Sequence, residues 1–172
     1  NMKAVDCDEY REVFKFPVRD YYIELGFDFE RYDWDQVAME YHMYYREFSP
    51  TAPLRKHVLA VLDGLQNLQV GMSILSASES SLLEEMVCAR QIRDYFEGLY
   101  GLSDFYAASK VAAGMKCIEG LNMEPSEILF VGDTVHDHEV ATELGCGCLL
   151  ISGGHQSAER IRECGCGVVD DM

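Results

Sequence analysis

The stretch ILFVGDTVHDHEVA, residues 128–141, sets two carboxylates four positions apart beyond an apolar run. A strand from Ile128 to Val131 that stops at Gly132 leaves Asp133 at its carboxyl end and Asp137 in the first turn of the next helix. Carboxylates so placed can hold a divalent cation. Two further segments carry groups suited to an anion. In SILSASES, Ser76 follows Ile74 and Leu75, and Ala77 and Ser78 lead into a helix. A hydroxyl and free amides at a helix start suit a phosphate oxygen, although serine is equally an ordinary helix cap. In AASKVAAG, Lys110 begins a helix. The dipole disfavours a cation there unless an anion lies beside it, and the competing reading is a solvated surface lysine.

The elements that must position these groups fall into two halves. Thirteen of the 19 aromatic residues lie within the first fifty positions. Trp34, Val37, Tyr41, Tyr44 or Tyr45, and Phe48 recur at helical spacing, with Asp33 or Asp35 available as cap. FPVRDYYIELGFD reads as another helix, begun near Pro17 and stopped at Gly26. Residues 1–50 are therefore expected to form a small all-helical piece, with SPTAP (49–53) as the connector. Beyond it, residues 51–172 alternate. Helices are predicted near 54–65, 80–96, 111–121, up to Leu144 and from Ser157. Strands are predicted at 70–75, 105–108, 128–131, 148–151 and around Val168. That order means βα units and a parallel sheet, whose ligands sit beyond the strands' carboxyl ends.

Composition restricts the partners. The 172-residue chain is 48% hydrophobic, enough for a real core, and its formal charge of -16 opposes nucleic acid and anionic lipid. No apolar run has the length of a membrane helix, and no secretory signal pattern is present. The seven cysteines read as reduced thiols of a cytoplasmic protein, most of them buried fillers. Cys146-Gly147-Cys148 and Cys164-Gly165-Cys166 are spaced more tightly than zinc knuckles.

Serine at one strand end, lysine at the next, then an apolar run and GDTVHD resemble motifs two, three and four of the haloacid dehalogenase-like hydrolases. GDTVHDHEVATELG followed by LLISGGHQS is similar to the phosphoglycolate-phosphatase-like branch, and the helical first half resembles its cap. The resemblance implies a Rossmann-like three-layer α/β core with a parallel sheet, and Mg²⁺-dependent hydrolysis of a small phosphorylated metabolite. It gives Ser76, with Ala77 and neighbouring amides, the transferring phosphoryl group. Lys110 would neutralise that group, Asp133 would ligate Mg²⁺, and Asp137 would ligate directly or through water.

The family's nucleophilic aspartate, in a DxDxT-type motif ending its first strand, has no counterpart in these residues. Asp6 and Asp8 have the DxD spacing, but no apolar strand precedes them and they read as helix-start acids. The chain is accordingly expected to lack the first core strand and to be inactive alone, as part of a longer protein. The alternative is a degenerate, non-catalytic phosphate- and metal-binding or regulatory relative. His136-Asp137 is also the dipeptide of all-helical HD phosphohydrolases, but here it follows a strand and a Gly-Asp turn. His42, His138 and His155 are read as cap-helix, surface or supporting residues. Substrate identity and oligomeric state are not legible.

Overall fold

The computed structural model describes residues 4–102 and 110–170. The chain gathers into two compact units. Among the described residues, one holds 4–44, Leu129–Thr142 and 147–170, and the other holds 45–102, 110–128 and Glu143–Cys146.

In the first unit, helices α1 (Cys7–Val13) and α2 (Val18–Glu24) precede α3 (Trp34–Phe48), which runs on into the second unit. Asp6 caps α1: its Oδ1 accepts the amides of Asp8 and Glu9 at 2.9 Å, and Glu9 reaches back to the Asp6 amide. Asp6 is thus a helix cap, as its position in the sequence suggested. The many aromatics pack on one another. Trp34 meets Phe29 and Tyr22 edge-on at 5.2 and 5.8 Å, and Phe14 meets Tyr21 at 5.3 Å. Strands β3 (Leu129–Gly132), β4 (Gly147–Ile151) and β5 (Gly167–Val169) form one parallel sheet in that order. Register pairs Val131 with Leu149 and Leu149 with Gly167. Helices α7 (Val135–Glu143) and α8 (Ala158–Arg162) contribute Val140, Ala141 and Ile161, which are buried with Leu150 and Ile151 of β4.

The second unit holds α4 (Val58–Asn67), β1 (Ser73–Glu79), α5 (Ser80–Ala89), β2 (Gly98–Leu102) and α6 (Lys110–Leu121). β1 and β2 pair in parallel, and Leu62, Leu83, Val87 and Ile92 form the core beside them. Two sequence expectations are corrected. The first strand of this unit begins at Ser73, not Val70, and runs to Glu79 because Glu79 pairs with Leu102 beyond an irregularity. Its partner strand is Gly98–Leu102. The helix begun at Ser80 ends at Ala89 rather than Phe96. The strand predicted at 105–108 lies outside the described residues.

The cysteines sort by environment. Cys117 is buried, Cys7 and Cys88 are exposed, and the other four lie between. Among the described residues no group of three or more His, Cys, Asp or Glu side chains is placed to hold a metal ion. Burial and the neighbouring Cys166 thiol push Cys148 up to about 12. Since the thiolate is the nucleophile, Cys148 is expected to be alkylated by iodoacetamide at pH 8 far more slowly than exposed Cys7. Peptide mapping of a time course checks this, and equal rates would contradict a shielded thiol.

Candidate active site

Asp133 stands at the carboxyl end of β3, where the sequence put it. Its Oδ2 accepts the backbone N–H of His155 at 2.7 Å. Residue 154 must be glycine for this contact, because a Cβ there would overlap the Cβ, Cγ and Oδ2 of Asp133. The 153–155 loop thus wraps one side of the carboxylate. Among the described residues no protein donor faces Oδ1.

Asp137 is 6% exposed and serves the same turn. Its Oδ2 accepts the amide of Asp133 at 3.1 Å, the amide of Thr134 at 3.0 Å and the Thr134 hydroxyl at 2.7 Å. The Asp137 amide donates back to Thr134 Oγ1 at 3.2 Å. This is a capping box in which Thr134 is the N-cap of α7 and Asp137 its N3 residue. Gly132 permits it, since a Cβ at that position would overlap the Asp137 side chain.

Two functional side chains escaped the sequence reading. Thr134 was legible, because T-x-x-D at a helix start is a capping-box signal. Gln156 was not. Only 2% exposed, it accepts the Val135 amide at 2.7 Å and donates to the Phe14 carbonyl at 3.0 Å, tying the α7 start to the N-terminal segment. The amides of residues 133, 134, 135 and 137 at the α7 start are thus engaged by protein.

The anion-binding candidates lie in the second unit. Ser76 sits inside β1, in the irregular stretch between Leu75 and Glu79, rather than just past the strand. Its hydroxyl accepts the Ser78 amide at 3.1 Å, and Ala77 is exposed between them. The cap of α5 is Glu79, which accepts the Ser81 amide at 2.9 Å and the Ser81 hydroxyl at 2.5 Å. These bonds, with Arg46 at 3.7 Å, hold the Glu79 carboxyl below its usual range. Lys110 is the half-buried first residue of α6. Ser76, Ala77 and Lys110 thus share one unit, and Asp133 and Asp137 share the other.

The carboxylates suit a hard cation. Mg²⁺ is held by one or two carboxylates, with water and substrate phosphate completing an octahedron. Asp133 offers Oδ1 for this, whereas Asp137 has one oxygen committed to the turn.

Solved structures share the fold. A haloacid dehalogenase-like hydrolase from Streptococcus pneumoniae is similar at TM-score 0.74 and 20% identity, over 88% of this chain and 70% of that one. A predicted phosphatase from Clostridium acetobutylicum gives TM-score 0.76 at 18% identity, over 89% and 71%. A predicted phosphoglycolate phosphatase from Haemophilus somnus gives TM-score 0.67 at 17% identity, over 92% and 65%. No curated protein matches significantly in sequence. The sequence model of the haloacid dehalogenase-like hydrolases matches residues 1–151, and with that match the chain belongs to this family.

Proposed function

We propose that the chain is the greater part of a Mg²⁺-dependent phosphatase acting on a small phosphorylated metabolite, in the manner of the phosphoglycolate phosphatases. The observation that carries this reading is the Asp133 carboxylate. Its Oδ2 is pinned by the His155 amide, and its Oδ1 is left for a ligand at the end of a parallel strand. Residues 1–50 are assigned as the cap and 51–172 as the core. Asp133 holds the cation and Asp137 supports it, directly or through water. Ser76 and the Ala77 backbone hold the phosphoryl oxygens, and Lys110 neutralises them. The bound cation supplies charge stabilisation for phosphoryl transfer, which is mostly positioning and electrostatics. The charge of -16 disfavours nucleic acid, and among the described residues no helix is long and apolar enough to cross a membrane. A cytoplasmic setting fits seven unpaired cysteines.

The family's attacking aspartate, in a DxDxT-type motif, has no counterpart among these 172 residues. A non-catalytic phosphate- and metal-binding or regulatory relative is the second reading, favoured by the commitment of Asp137 Oδ2 to the turn.

The test is Mg²⁺ titration and p-nitrophenyl phosphate turnover by the chain and by the chain preceded by a family-type strand ending in DxDxT. The chain alone should bind Mg²⁺ weakly and not turn over, because no covalent intermediate can form without the aspartate. The extended protein should gain both properties. Asp133→Asn in it should abolish turnover, since the amide carries no charge to hold the cation. Equal, tight Mg²⁺ binding by both forms, or robust turnover by the chain alone, would overturn the assignment.

A further inference from the structure

Within the first unit, the His155 ring is held in a way that the Asp133 contact does not require. Its backbone amide serves Asp133, while its Nδ1 lies 2.6 Å from the hydroxyl of Tyr10 on α1. Phe14 stacks on the imidazole with centroids 5.1 Å apart, and Tyr10 meets it edge-on at 5.9 Å. The Arg11 Nε donates to the Gly154 carbonyl at 3.2 Å, and Arg160 donates to the carbonyls of Arg11, Glu12 and Phe14. The N-terminal helix is therefore clamped onto the loop that wraps Asp133.

The 2.6 Å separation joins the Tyr10 hydroxyl to Nδ1 as a hydrogen bond whose donor is set by the tautomer of the ring. With the phenol as donor, Nδ1 accepts its O–H. The ring proton is then fixed on the other nitrogen, Nε2. His155 is exposed, and among the described residues no protein group accepts from Nε2. An oriented N–H donor with no protein acceptor, one residue beyond a glycine packed on the Asp133 carboxylate, is placed to serve a ligand.

We propose that His155 Nε2–H, set by Tyr10, donates to an anionic oxygen of the substrate and so is a specificity-determining residue. This rests on the phosphatase reading above. The oxygen belongs either to the transferring phosphoryl group or to a second acidic group, such as a carboxylate, on the same small molecule. Tyr10 acts through His155 and is a positioning residue.

Long-range ¹H–¹⁵N correlation spectra of the chain labelled at its five histidines provide the test, with His155→Ala assigning the signal. That variant removes the ring and keeps the amide that Asp133 uses. The free chain should show an unprotonated Nδ1 and a protonated Nε2 at His155, and Tyr10→Phe should mix the two tautomers. Orthophosphate or glycolate should shift the Nε2 resonance, and the anion that does so names the source of the oxygen. His155→Ala should weaken binding of that anion about tenfold, and Tyr10→Phe less, as expected for one charge-assisted hydrogen bond. A protonated Nδ1 in the free chain, or an Nε2 resonance unmoved by both anions, overturns the proposal. Loss of Mg²⁺ binding in Asp133→Asn is read separately. If that loss occurs while His155 stays silent, the inference alone fails and the phosphatase reading stands.

Discussion

Gly154→Ala is expected to lower Mg²⁺ affinity of the strand-extended protein by about ten- to a hundredfold, the range for losing a partner that orients a metal ligand. The added methyl would overlap Asp133 at Oδ2, Cγ and Cβ. Rotation of the carboxylate relieves only the first two overlaps, because Cβ is fixed to the backbone at the end of β3. The 153–155 loop or the strand end must therefore move, and the 2.7 Å bond from the His155 amide is lost in either case. The displaced loop is half-exposed surface and not core, so the thermal midpoint should fall by only a few degrees, as for about 1 kcal/mol in a chain of this size. Calorimetric Mg²⁺ titration beside a melting curve separates the two effects. Unchanged affinity with a lowered midpoint would show that the wrap stabilises the fold without placing the ligand.

How much of this was legible in the sequence differs between the two units. The β3–turn–α7 segment was, because an apolar run, a glycine and T-x-x-D are local signals, and the structure follows them within a residue or two. The α1 cap was legible for the same reason. β2 was not: GLYGL has two glycines in five positions and no alternation, and only pairing with β1 makes it a strand. Ser76 was placed just past a strand that in fact continues to Glu79, since the Glu79–Leu102 pairing joins residues far apart in sequence. Gln156 and Tyr10 escaped notice because their partners lie 142 and 145 positions away, and no spacing rule spans such distances. Asp137 is the instructive case. Its spacing announced a carboxylate beside Asp133, but whether that carboxylate faces a cation or the backbone depends on which donors fold around it.

The fate of Asp137 is therefore the sharpest discriminator at this site. Asp137→Ala would strand two backbone amides and the Thr134 hydroxyl, with Thr134 itself only 3% exposed. Each buried group left without a partner costs about 1–3 kcal/mol, so a loss of at least about 3 kcal/mol is expected. That is a large share of the roughly 5–15 kcal/mol that holds a domain folded. Asp137→Asn keeps one acceptor oxygen for the turn and gives up the strengthening that the negative charge lends those bonds. Its cost should be near 1–2 kcal/mol, read as a shifted urea midpoint. Mg²⁺ titration of the strand-extended protein then compares the two carboxylates. Asp133→Asn should remove measurable affinity. Asp137→Asn should retain it within about tenfold, because its carboxylate acts chiefly by holding the turn that presents Asp133. The opposite pattern, with affinity lost to the same degree as in Asp133→Asn and the urea midpoint unmoved, would make Asp137 a direct ligand and the capping box incidental.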